Sequence, residues 1–212
     1  MVTLVWFLIG PIPASITRDS PHTLRSLLII PPLIFILSLG LSKFIDLFQS
    51  RKPLIKILTV LILLVSFINF WKNYTGEYVK NYSWSWQYGY KQAADYIKNY
   101  GADYNKIYFS KKYGEPHEFV LFYMKYNPTK YLSDPNLVKY FRSDWYWVDS
   151  FDKFVFLNDW EVKQNVKCQM SNVKCLLITS PGNYPNRSKL MQTINFLDGK
   201  PAFDIVELPQ VQ

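Results

Sequence analysis

Cysteine, histidine and glycine are scarce in this sequence, with two, two and eight copies among 212 residues. Two histidines far apart at His22 and His117, with only Cys168 and Cys175 beside them, do not make a four-ligand metal set. No metal and no cofactor is expected. The few glycines form no phosphate-cradling loop, and GxSxG, HExxH and CxxC are all missing. Nothing positions a Ser–His–Asp triad either, so no catalytic residue is assigned within the chain. The 24 basic and 16 acidic residues give a net charge of +8, but no dense Lys/Arg block occurs. Nucleic acid is therefore not an expected partner.

What the sequence does have is two long apolar runs. "SLLIIPPLIFILSLGLSKFIDLF" (26–48) is long enough, at about 1.5 Å of rise per residue, to cross the hydrocarbon of a bilayer. Its charges, Lys43 and Asp46, fall near the end, where Lys43 can snorkel to the headgroups. "PLIKILTVLILLVSFINFW" (53–71) is uncharged after Lys56. Eleven Leu, Ile, Val or Phe residues follow that lysine and give an insertion preference of about −5 kcal/mol. Both runs are expected to be transmembrane helices, since a domain this small has little with which to enclose two all-round apolar helices.

The connector "QSRKPLIK" (49–56) carries Arg51, Lys52 and Lys56 and no acid, which predicts a cytoplasmic loop. Residues 11–25 and everything after Trp71 then face the outside. "MVTLVWFLI" (1–9) is apolar, too short to span, and lacks a basic start, so it reads as the outer end of a third helix that begins upstream. The expected organisation is a membrane region over 1–71 and a small extracytoplasmic α/β domain over 72–212, in a multi-pass plasma-membrane protein. The net positive charge beside the membrane segments fits anionic lipid headgroups.

The segment from Trp71 to Tyr90 holds eight aromatics in twenty residues. It reads as an interfacial aromatic belt or as a platform for stacking on sugar rings. "YKQAADYIKNYG" places Tyr90, Ala93, Ala94 and Ile97 on one helical face, with Gly101 as a stop. "KIYFS" (106–110), "DKFVFLN" (152–158), "CLLITSP" (175–181) and "AFDIVEL" (202–208) read as strands, and a helix restarts at Pro116 after a turn at Gly114. "SKLMQTINFL" (188–197) reads as a helix and 127–150 as irregular. Alternating helices and apolar strands predict an α/β layer domain. Cys168 and Cys175, with the six residues "QMSNVK" between them, are either a disulfide across a hairpin or two reduced buried thiols.

The one cluster in the membrane half that combines basic, acidic and imidazole side chains is "TRDSPHTLRS" (17–26), at the outer mouth of the first long helix. Ser20 and Pro21 fit an N-cap and first helical position, which puts His22 and Arg25 on one face of the first turn. Arg18, Asp19, His22 and Arg25 together suit an anionic headgroup, helped by free N–H groups at a helix start. Contact with bulk lipid phosphate, or an Asp19–arginine pair, is the plainer reading of the same residues.

Taken whole, "GPIPASITRDSPHTLRSLLIIPPL", two closing helices and "YGYKQAADYIKNY…KIYFSKKYGEPHEFVLFYMKYNP" resemble the C-terminal part of bacterial GT-C class membrane glycosyltransferases. That class includes protein mannosyltransferases and lipid A aminoarabinose transferases. "LLITSPGNYP" and "GKPAFDIVEL" extend the likeness towards the end, and "PHTLRS" is its most specific piece. The resemblance implies transfer of a sugar from a polyprenyl-phosphate carrier to an acceptor on the outer face. It implies that His22 and Arg25, with Arg18 and Asp19 nearby, belong to the group that holds the carrier phosphate. It also implies a catalytic carboxylate in a first outer loop that this chain does not contain. The chain alone is then expected to be inactive and to depend on upstream transmembrane helices of the same enzyme. Pre-placed cations would favour the leaving phosphate as its charge grows.

Glu115, in "YGEPHEF", is a further candidate for substrate binding, because it lies on a turn between a strand and a helix. Favouring a helix N-terminus electrostatically is its plainer role. A membrane-anchored glycan- or protein-binding module without catalysis is the alternative for the chain as a whole.

Overall fold

A computed structural model describes residues 2–16, 25–48, 51–142, 145–166, 168 and 173–209; the side chains of Arg25 and Asn165 are outside this description. The chain divides into two compact units, Met1–Trp71 and Lys72–Gln212.

The first unit is helical. Helix α1 (Val2–Ile9) is followed by the short α2 (Ile12–Ile16), then by a 3-10 turn at Arg25–Ile29 that leads into α3 (Ile30–Leu47). Pro31 and Pro32 sit in the first turn of α3, where the missing N–H groups have no intrahelical partner to lose. Gly10 lets α1 approach this turn closely: a Cβ there would lie 3.2 Å from the Ile29 Cα and 3.2 Å from the Trp6 carbonyl oxygen. Helix α4 (Lys52–Thr75) follows, and Lys52 Nζ reaches back 3.0 Å to Asp46 Oδ1 at the end of α3. Two helical stretches, Ser26–Leu47 and Lys52–Asn81, are long and apolar enough to cross a membrane, and almost none of either apolar window is buried.

The second unit is built on a mixed seven-stranded sheet. Its elements are α5 (Glu77–Asn81), α6 (Tyr90–Tyr100), β1 (Lys106–Ser110), α7 (Pro116–Tyr123), α8 (Pro128–Leu132), β2 (Val138–Arg142), β3 (Trp145–Phe151), β4 (Phe154–Leu157), α9 (Val162–Asn165), β5 (Cys175–Thr179), β6 (Lys189–Asn195) and β7 (Pro201–Glu207). The strand order is β2-β3-β4-β1-β5-β7-β6. Strand β1 runs parallel to β4 on one side and to β5 on the other, and the remaining pairs are antiparallel.

Period-two alternation splits the core between the two faces of the sheet. Ile107, Phe109, Leu176, Ile178, Phe203 and Ile205 pack with Tyr90, Ala93 and Ile97 of α6 and Val120 of α7. On the other face Tyr108, Leu177 and Val206 pack with Val162 of α9 and with Cys168 and Cys175. Those two cysteines form a disulfide with their Cα atoms 5.8 Å apart. The α6 stripe read from the sequence, Tyr90, Ala93, Ala94 and Ile97, is the buried face of that helix.

Two segments differ from expectation. "SKLMQTINFL" forms strand β6 rather than a helix. Its apolar spacing is compatible with a helix, but the following Asp198–Gly199 is a hairpin turn, and Phe196 N–H donates to Lys200 O at 2.8 Å. Across the resulting pair Thr193 Oγ1 donates to Asp204 Oδ1 at 2.7 Å, a bond that a helix would forfeit. The span 127–150 is regular too. Asn127 caps α8 by accepting from Thr129 N–H at 2.9 Å, and β2 and β3 form a hairpin at the sheet edge. Strand β2 is exposed along its whole length, so it lacks the buried alternation that marks a strand in sequence.

Candidate functional site

The two crossovers of the parallel strands leave the sheet on opposite faces. The chain after β1 turns into α7, whose Val120 packs on one face, and the chain after β4 turns into α9, whose Val162 packs on the other. Because β1 and β4 are neighbours, their carboxyl ends form a topological switch point, the place where open α/β sheets bind ligands.

Asp159 stands at that switch point, in the 3-10 turn Asp159–Glu161 that follows β4. The turn is fixed by a capping box in which Asn158 N–H donates to Glu161 Oε2 at 3.1 Å. Ser110 Oγ, at the end of β1, donates to Asp159 Oδ1 at 2.6 Å, and Ser180 Oγ, just past β5, lies 2.8 and 2.9 Å from its two carboxylate oxygens. Asn183 Nδ2 donates to the Asp159 carbonyl at 2.6 Å, and Lys112 Nζ lies 3.7 Å from Oδ2. Burial opposes the charge of Asp159, but the hydrogen bonds from Ser110, Ser180 and Asn183 outweigh it and hold the carboxyl below its ordinary range. Asp159 is thus a fixed anion that ties three strand ends together.

Glu115 lies on the neighbouring loop, between β1 and α7, and its environment is the opposite. It occupies the N-cap position of α7 but makes no capping hydrogen bond. Its Oε2 instead lies 3.3 Å from His117 Nδ1, and both atoms are buried without a hydrogen-bond partner, as is the Tyr90 hydroxyl. Burial, only partly offset by Lys111, raises the proton affinity of Glu115. Burial also pushes His117 down to about 4, with Lys111 and Lys139 adding to the shift. At 3.3 Å the distance alone fits an ion pair, yet burial shifts both groups towards their neutral forms. The contact therefore joins an uncharged imidazole to a carboxyl whose proton affinity is raised. Such a pair can pass a proton to a third group, which is acid–base capability. Burial first, and the Glu115 charge second, also hold the Tyr90 phenol well above its ordinary value. Next to the pair, Lys111 Nζ donates to Asp149 Oδ1 at 2.6 Å and lies 5.6 Å from the Trp147 ring centroid.

Of the residues singled out in the sequence, the structure brings Glu115 to this edge and gives it His117 as a partner. Arg18, Asp19 and His22 lie outside the described residues, as do Ser20 and Pro21; Arg25 opens the 3-10 turn before α3. Asp159, Ser110 and Ser180 were not legible as a set. The available signal was an Asn-x-x-Glu capping pattern directly after an apolar strand, which marks where a strand end meets a turn.

The aromatic-rich segment resolves into a ladder. Tyr74, Tyr78 and Tyr82 stack at i, i+4 spacing with ring centroids 5.8 and 4.8 Å apart, so these faces are engaged with each other. Beside the ladder Tyr74, Tyr78, Trp86, Tyr88 and Leu197 line a mostly apolar cavity of about 440 Å³.

No family model matches the chain, and neither the curated proteins nor the solved structures contain a match to it.

Proposed function

We propose that this chain is the C-terminal portion of an integral-membrane glycosyltransferase of GT-C type. In this reading it helps move a sugar from a polyprenyl-phosphate donor to an acceptor on the outer face of the plasma membrane. The observation that carries the proposal is the pair of apolar helices with almost no buried residue, followed by an α/β domain that carries a disulfide. Apolar surface on that scale calls for lipid around it. A disulfide between the two cysteines of the chain belongs to an oxidising compartment. Arg51, Lys52 and Lys56 at the helical connection favour the cytoplasmic side for that turn, which puts the α/β domain outside. Arg18, Asp19, His22 and Arg25 then share the outer side and supply the phosphate-binding group.

The test is transfer by the complete gene product from radiolabelled polyprenyl-phosphate sugars. His22→Ala and Arg25→Ala are expected to depress transfer, and unchanged transfer would remove the site assignment. Single cysteines at position 51 or 52 should resist a membrane-impermeant maleimide, while a cysteine at Asp95 should react. Labelling at 51 refutes the orientation.

A second reading is a membrane-anchored glycan-binding module without catalysis. It is favoured by the large aromatic side chains that the β2–β3 hairpin leaves exposed.

A further inference from the structure

Strands β2 and β3 form an edge hairpin on which Phe141, Trp145 and Tyr146 are 60%, 55% and 58% exposed. Large aromatics left in water together mark a binding surface. The register explains how they are grouped. Lys139 pairs with Val148 and Phe141 with Tyr146, so these four side chains project from the same face of the hairpin. That face looks onto His117 and Glu118 in the first turn of α7 and onto Tyr131 in α8, and together with Trp145 they enclose a cleft of about 370 Å³. Its size is at the lower end of small-ligand sites, which run from about 300 to 1,000 Å³.

The polar groups of the cleft narrow the ligand class. Glu118 offers a carboxylate acceptor and Lys139 an ammonium donor, the latter held 4.4 Å from the Tyr146 ring centroid. One charge of each sign leaves little net pull on an anion or a cation. His117 adds the exposed edge of an imidazole, 9% of its side chain, while its buried Nδ1 faces Glu115 Oε2. A neutral polyol with an apolar face answers this arrangement: C–H groups stack on the aromatic rings while hydroxyls donate to Glu118 and accept from Lys139.

We infer that the cleft between the β2–β3 hairpin and the start of α7 binds one neutral hexopyranose unit of a glycan. The assignment deepens the transferase reading and rests on it for one point only, that the bound unit is part of the acceptor.

The experiment uses the full chain, purified in a detergent without a sugar headgroup and titrated with methyl α-mannopyranoside, methyl β-glucopyranoside and glycerol. Tryptophan fluorescence should change saturably with at least one pyranoside and not with glycerol. Glu118→Gln and Tyr146→Ala should weaken that binding at least about tenfold. Glu118 is exposed, so its substitution should leave the thermal unfolding midpoint in place. Equal responses to glycerol and the pyranosides, or wild-type affinity in both variants, overturn the inference. Saturable binding combined with no sugar transfer by the complete gene product retains the cleft and removes the transferase reading. Transfer without any pyranoside binding removes the cleft alone.

Discussion

His117 offers the sharpest test of the buried edge, because its titration should be visible in stability. Its pKa is pushed from 6.5 to about 4 in the folded chain. The unfolded chain therefore binds a proton more readily than the folded one as pH falls through that interval. Linkage then makes the stabilising contribution complete above about pH 6.5 and progressively lost towards pH 4. A shift of this size amounts to about 3 kcal/mol, or on the order of 10 °C in midpoint for a domain of this length. Glu115 works in the other direction. Its raised proton affinity stabilises the fold below the ordinary carboxyl value, and that contribution fades as pH rises through the folded-state pKa. The wild-type curve alone mixes the two, so the informative quantity is a difference.

His117→Asn isolates it, since an amide can stay near Glu115 without titrating. Thermal unfolding of the full chain in detergent, followed by tryptophan fluorescence, should show the wild type losing stability relative to the variant between pH 6.5 and pH 4. Above pH 7 the difference should be constant. Parallel curves across the whole range would mean that the imidazole is not held neutral by burial, and the acid–base reading of the pair would fall with it.

Asp159→Asn replaces an acceptor of two serine hydroxyls with an amide and should cost about 2–3 kcal/mol. Because the Asp159 pKa is lowered, its contribution is present above the ordinary value of 3.8 and lost as pH falls below it, so the variant should lack that acid limb. Reduction of the Cys168–Cys175 bridge, whose ends are seven positions apart, should lower stability by about 2.5 kcal/mol, and a maleimide should react only after reduction. Gly114 has φ +123° and a Cβ there would lie 2.5 Å from Gln87 Nε2, which donates to Tyr113 O at 2.9 Å. Gly114→Ala should therefore cost about 2 kcal/mol by strain and by loss of that clamp, read as a lower unfolding midpoint.

The elements legible in the sequence were those whose pattern lies on a single buried face. Tyr90, Ala93, Ala94 and Ile97 declare α6 because the helix buries only that stripe, and "KIYFS" declares β1 because four of its five residues are buried. The two apolar helices were legible for a related reason: uniform hydropathy over some twenty residues needs no knowledge of neighbours. β6 and the β2–β3 hairpin were missed because they lie at the two edges of the sheet, where an edge strand is half exposed and its alternation is weak. In β6 the Asp198–Gly199 turn was the better guide than the spacing of its apolar residues.

The candidate site was legible only in part because its members come from different strand ends. Glu115 could be picked out locally, on a turn after a strand, but its pairing with His117 depends on how Pro116 starts α7 beneath the core. Ser110, Asp159 and Ser180 are 49 and 21 positions apart in sequence and meet because β1 lies between β4 and β5. Strand order is the one feature that no local pattern encodes, and it decides the chemistry at this edge. It surrounds Asp159 with hydroxyl donors and lowers the proton affinity of that carboxyl, while burial raises that of Glu115, one loop away with no donor on its inner oxygen. Two carboxyl groups of similar intrinsic acidity thus have their proton affinities moved in opposite directions by the strand order that surrounds them.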